Sequence, residues 1–334
     1  MLSKKIKLFT LVLILVFGSG LFLMLRKPSN YTEDIKWGIT YSKFFAEKAG
    51  LDWQKTYLAI LDDLGSKKIR LPVYWQFVEQ KEGEYDFADL DWMMEEAEKR
   101  QVEIILVVGR KVPRWPECHI PDWARELDES EQQAKILKLI EVVVKRYRES
   151  DSLAVWQIEN EPFLAFGECP ALDVDFLDQE IKKTKSLDPK HPILITDSGE
   201  MSIWLRAAKR GDIFGTTMYR IIWNKHLKYF KYPLPPRFFW MKANLINLFY
   251  KDKPIIVCEL QGEYWGPKQS YETPLALEME HYPLEEFQQS LAYAKAVGFG
   301  EVYLWGVEWW YWLKEEHGDA TYWEEAKTLL QQSD

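Results

Sequence analysis

The stretch WQIENEP, 156–162, sets two carboxylates and an amide, Glu159, Asn160 and Glu161, at the end of an apolar run. A second apolar run, PIIVCE from Pro254, ends on Glu259. A single carboxylate at a strand end more often caps the following helix than catalyses. Two carboxyls whose proton affinities are pushed apart can divide acid and nucleophile work between them. Arg70 in KIRLPV and Tyr219 closing IFGTTMY are the groups expected to hold Glu259 ionised, because an adjacent positive charge and a hydrogen-bond donor both favour the anion. Glu161 stands beside the apolar Pro162 and Phe163, surroundings in which a carboxyl keeps its proton until it is needed.

Those residues need a frame that brings them together. Apolar, β-rich runs alternate with helical patterns along the chain. The strand runs are IKWGIT from Ile35, KIRLPV from Lys68, VEIILVV from Val102, LAVWQIE from Leu153, PILIT from Pro192, IFGTTMY from Ile213, PIIVCE from Pro254 and EVYLW from Glu301. Residues 51–65 and 131–149 read as amphipathic helices, and a last helix is expected over 321–331. Eight such units are the count of a (β/α)8 TIM barrel. A doubly wound open sheet is the alternative architecture, but no glycine-rich phosphate turn follows the first strand. No linker divides residues 28–334, which are expected to form a single catalytic domain.

In a barrel of this kind sites gather at the C-terminal ends of the strands, and side chains alternate along each strand. That alternation predicts an inward face shared by Gln157, Glu159 and Glu161. It points Val257 and Glu259 inward with Cys258 outward, and it turns Arg70, Thr217, Tyr219, Tyr303 and Trp305 inward as well. Glu161 and Glu259 then face each other across the mouth. Two carboxyl groups about 5 Å apart around a sugar ring are the apparatus of a retaining glycosidase. Asn160 is placed to hydrogen-bond a ring hydroxyl, and Trp305 offers a flat face for a pyranose.

This set resembles the clan A glycoside hydrolases, the retaining barrel enzymes that include cellulases, β-mannanases, β-galactosidases and β-xylosidases. The residues that carry the resemblance are Asn160-Glu161-Pro162, Glu259, Arg70, Tyr219 and Trp305, together with the segment IRLPVYWQFVEQKEGEYDFADLDWMMEEAEKR from Ile69. It runs from about residue 35 to the C-terminus. It implies hydrolysis of β-glycosidic bonds with net retention, Glu161 as acid/base and Glu259 as nucleophile. A transglycosylase using the same two acids and an inactive carbohydrate-binding barrel are the alternatives.

Several neighbours leave room for choice. Glu263, in CELQGEYWG, is a second candidate nucleophile beyond the strand. Glu159 is expected to orient its neighbours, and Glu308, in WGVEWWYW, to bond sugar hydroxyls. The loop 110–124, RKVPRWPECHIPDWA, carries Trp115, Glu117, His119 and Trp123; it either walls the sugar cleft or packs on its own aromatics. No group of residues has metal-ligand spacing, and the chemistry needs no cofactor.

The net charge of −9, with no Lys/Arg block in the body of the chain, argues against nucleic acid as a partner. A carbohydrate substrate and a monomer are expected. From Leu8 to Leu25 run 18 uncharged, mostly apolar residues, flanked by Lys4, Lys5 and Lys7 and by Arg26 and Lys27. That is close to the length that crosses a bilayer. Residues 1–27 therefore read as an uncleaved transmembrane signal anchor with the catalytic body outside the cytoplasm; cleavage near Gly18-Ser19-Gly20, giving a secreted protein, is the alternative. In an exported body Cys118 and Cys169 form either a disulfide or two free thiols, and Cys258 is expected to be buried. The segment from Trp223 to Lys242, mixing aromatics with bases, begins the sixth helix, covers the cleft or lies on a membrane surface.

Overall fold

In a computed structural model, which describes residues 24–331, the eight anticipated runs become β1 (Lys36–Thr40), β2 (Lys68–Pro72), β3 (Glu103–Val108), β4 (Leu153–Ile158), β5 (Ile193–Asp197), β6 (Ile213–Met218), β9 (Ile255–Gln261) and β10 (Glu301–Trp305). They close into a parallel barrel in the order β1-β10-β9-β6-β5-β4-β3-β2. The open sheet is thereby excluded. The expected membrane-spanning run falls almost wholly outside the described residues; among those, no helix is long and apolar enough to cross a membrane.

Helices cover the barrel because their apolar stripes match its outer face. The helix Glu129–Tyr147 starts at a capping box between Asp128 and Glu131 and buries Ile136, Leu139, Ile140, Val143 and Val144, the spacing of one helical face. The last helix spans Thr321–Gln331, as the periodicity predicts. The segment from Trp223 differs from its expected course. It forms a hairpin, β7 (Ile221–Asn224) with β8 (Lys228–Lys231), and the helix after it begins only at Pro236, where proline suits a first helical turn.

Inside the barrel the lower layer is apolar, made by Ile105, Leu194, Ile256, Cys258 and Tyr303. Cys258 therefore points inward, not outward. Thr216 pairs with Val257 but Thr217 pairs with Glu259, so β9 carries one extra residue, a β-bulge at Cys258. The bulge lets Cys258 fill the interior and still returns Glu259 to it. Gly215 on the neighbouring strand makes room: a Cβ there would lie 2.5 Å from Cys258 Sγ.

Candidate active site

Above that apolar layer the interior turns polar and buried. Arg70, fully buried, donates through Nε to Gln157 Oε1 at 2.7 Å, through Nη1 to Glu259 Oε1 at 2.8 Å and through Nη2 to Asn160 Oδ1 at 2.8 Å. The Tyr219 hydroxyl donates to the other Glu259 oxygen at 2.8 Å. One guanidinium thus ties β2 to β4 and β9, and a planar fork of donors fixes all three acceptors at once.

Glu161 lies just past β4, where the strand conformation ends. Glu159 and Glu161 both have left-handed backbones, φ 56° and 42°, which is uncommon outside glycine and concentrates at functional sites. The Glu161 amide donates to Thr196 Oγ1 at 2.8 Å, and Thr217 Oγ1 donates to Glu161 Oε1 at 3.2 Å. Lys111 Nζ donates to the Glu161 and Leu164 carbonyls at 3.0 and 2.9 Å, which fixes the turn that carries the acid. Burial first, and the Glu259 charge second, raise the Glu161 carboxyl well above the usual carboxylate range.

A third carboxyl completes the group. Glu117, buried, accepts from Asn160 Nδ2 at 3.1 Å. Burial pushes it up to about 7, against the opposing pull of Lys111. The Cys118–Cys169 disulfide is formed, with Cα atoms 5.3 Å apart, and clamps the Glu117 loop to the loop after Pro162. Gly167 closes that contact, since a Cβ there would sit 2.6 Å from Glu117 Cβ. From Tyr219 a line of aromatic edges leads outward through Trp265 and Phe166 to Trp115, with ring centroids 4.7, 5.8 and 5.8 Å apart. Trp115 is 43% exposed, at the outer end of that line.

An acid at the end of β4 and another on β9, in a closed parallel barrel, invite comparison with known enzymes. Residues 33–269 match the cellulase family, glycosyl hydrolase family 5. The chain belongs to that family. A probable mannan endo-1,4-beta-mannosidase A from Aspergillus clavatus is 32% identical over 124 residues, covering 33% of this chain and 32% of that one. Mannan endo-1,4-beta-mannosidase F from Aspergillus fumigatus is 27% identical over 173 residues, covering 46% of this chain and 37% of the relative. These matches span about a third of the relatives' own length. Among solved structures, GH5_18 from Bifidobacterium longum subsp. longum superposes with a TM-score of 0.58 at 14% identity, covering 81% of this chain and 69% of that one; the likeness is one of fold.

In this family 5 chain three expected site residues are placed differently from their anticipated positions. Glu308 is fully buried and accepts from the Ser42 amide and Arg114 Nη2; it has no surface to offer a sugar. His119 is also buried, its ring nitrogens meeting the Arg114 carbonyl at 3.0 Å and Gln76 Nε2 at 3.1 Å, and burial lowers it to about 4. Glu159 leaves the face of Glu161 because the left-handed residue turns it away. Its two oxygens accept from the Arg110 and Lys111 amides, both at 2.7 Å, on the far side of the turn from Glu161. Burial first, and the neighbouring Glu159 second, raise the buried Glu180 carboxyl well above the usual carboxylate range.

Arg114 was missed by sequence reasoning. It sits between the rings of Phe45 and Trp305, its guanidinium 3.9 and 4.1 Å from their centroids, and is paired with Glu263 and Glu308. Trp305 donates its indole N–H to Glu263 at 2.8 Å, so one indole face carries the arginine. The only hint in the sequence was a cation inside the long loop, a place where most cations are simply solvated. Trp123 of the same loop packs away from the cleft, edge-on to Trp75 at 5.6 Å.

Proposed function

We propose that this chain is a retaining β-glycoside hydrolase acting on an oligo- or polysaccharide, with Glu161 as acid/base and Glu259 as nucleophile. The observation that carries the reading is the asymmetry between the two acids. Glu259 accepts from Arg70 and Tyr219, one donor on each oxygen, which orients it and suits it to attack as a carboxylate. Glu161 receives one long hydroxyl contact and is pushed toward its protonated form by burial and by Glu259. A proton donor and a nucleophile are separated in this way.

In the first step Glu259 attacks the anomeric carbon while Glu161 passes its proton to the departing oxygen, giving a glycosyl-enzyme. In the second, Glu161 takes a proton from water, which displaces Glu259 with net retention. Arg70 and Tyr219 favour Glu259 over Glu263, whose Oε1 is committed to Arg114 and Trp305. The aromatic line from Tyr219 to Trp115 supplies flat faces for successive sugars. Because two relatives carry mannan endo-1,4-beta-mannosidase names, β-1,4-mannans are the first polysaccharides to try. The apolar run Leu8–Leu25 anchors the enzyme in a membrane with the barrel outside the cytoplasm.

Turnover of aryl β-glycosides tests the assignment. Glu259→Ala abolishes it, whereas Glu161→Ala keeps the glycosylation step for good leaving groups and regains turnover with azide, since neither step then needs the proton donor. Wild-type rates in Glu259→Ala would overturn the reading.

A further inference from the structure

The helix Pro236–Phe249 buries Phe239, Lys242, Ala243 and Ile246. Its opposite face should be polar on a surface helix. Instead that face and its flank carry Met241, Leu245, Leu248 and Phe249, and the last two are 66% and 64% exposed. Exposed bases surround them: Arg237 at the helix start, Lys251 just beyond its end, and Arg26 and Lys27 alongside. Two acids lie among them, Glu33 paired with Lys27 at 3.7 Å and the exposed Asp252 beside Lys251, so in a chain of net charge −9 the patch keeps a small excess of bases.

The chain that follows the apolar run Leu8–Leu25 lies along this same helix. Asn244 Nδ2 donates to the Met24 and Arg26 carbonyls at 3.0 and 2.9 Å, and Asn247 Nδ2 donates to Ser29 Oγ at 3.1 Å. Tyr31 meets Trp240 edge-on at 6.2 Å. The end of the anchor and the apolar helix face are therefore neighbours on one side of the barrel.

We propose that the outer face of helix Pro236–Phe249 rests on the surface of an anionic phospholipid bilayer, with Leu248 and Phe249 in the headgroup region and Arg26, Lys27, Arg237 and Lys251 on lipid phosphates. An apolar face edged with bases is the composition of an interfacial helix. The inference rests on the anchored reading proposed above and adds an orientation to it. Barrel helices run back from the C-terminal strand ends, so Phe249 lies at the end of the helix remote from Glu161 and Glu259. At about 1.5 Å per residue the helix is about 21 Å long, and docking through its far end holds the cleft mouth off the membrane, open to glycans outside.

The test uses the full chain, reconstituted into vesicles of phosphatidylcholine and phosphatidylglycerol that carry a doxyl-labelled lipid. Leu248→Cys, and Glu95→Cys as a control on the helix Ala88–Lys99 across the barrel, are each labelled with bimane. The labelling is selective because Cys118 and Cys169 are bridged and Cys258 is buried. The expected result is quenching at position 248 several-fold stronger than at 95, lost for a Met241→Cys label when Leu248→Asp and Phe249→Asp are added, with turnover of a small soluble glycoside unchanged. Co-flotation with vesicles but equal quenching at 248 and 95 overturns the docking and leaves the anchor standing. A label at 248 shielded from water without doxyl quenching means that another part of the chain covers the face, and also overturns it. Failure to float overturns both, while glycoside turnover in detergent reports separately on the catalytic reading.

Discussion

Arg70 Nη1 lies 2.8 Å from Glu259 Oε1, with both side chains almost wholly buried, at 0% and 4% exposure. Removing one partner of such a pair leaves the other as an uncompensated buried charge, which costs about 3–5 kcal/mol. Arg70→Ala is therefore expected to lower the denaturation midpoint and, through the loosened Glu259 and Asn160, to reduce kcat by about 10²–10³-fold, the range seen for loss of one preorganised donor. Denaturant titration alongside single-turnover kinetics checks both. Wild-type kcat in a folded Arg70→Ala would show that the contact plays no part in catalysis.

The pH profile carries the signature of Glu161. Its proton affinity is raised by burial and by Glu259, so in the proposed mechanism the protonated donor persists through the ordinary carboxylate range and its loss sets the alkaline limb of kcat/KM. Glu117 titrates in the same cleft at about 7. Glu117→Gln removes one of the charges that raise Glu161 and should keep the alkaline limb but move it to lower pH, whereas Glu161→Gln, assayed with an activated aryl glycoside, should remove it. An unchanged alkaline limb in Glu161→Gln assigns the proton to another group.

Glu159 is expected to behave as a positioning residue. Glu159→Ala leaves the buried Arg110 and Lys111 amides without their acceptor, at about 1–3 kcal/mol each. It also frees the segment from which Lys111 holds the Glu161 carbonyl. A drop in kcat with KM nearly unchanged, together with reduced stability, is the expected pattern; a purely structural role would lower stability and leave kcat per folded molecule intact.

The bridge between Cys118 and Cys169 spans 51 residues of sequence. In the chain-entropy account a loop of that size contributes about 4 kcal/mol by restricting the unfolded chain. Cys118→Ser with Cys169→Ser should show a clearly lower Tm, and, because the bridge clamps the Glu117 loop, a higher KM for polysaccharide than for a small aryl glycoside. An equal change in KM for both substrates would sever the bridge from the cleft.

The sequence by itself determined the eight strands and the last helix, because strand runs and helical stripes are local patterns set by the need to bury apolar faces. It also pointed to Arg70, Asn160 and Tyr219, whose residue types and strand ends matched a known constellation. Tertiary structure decided where alternation stops. The bulge in β9 and the left-handed turn at Glu159 each shift the face by one residue, and neither follows from a period of two. It decided too that Glu308 and His119 are buried while Arg114 is held between two rings, since the burial of a loop or helix charge depends on partners distant in sequence. The pairing of Cys118 with Cys169 was settled in the same way, by two loops that meet only once the barrel has closed.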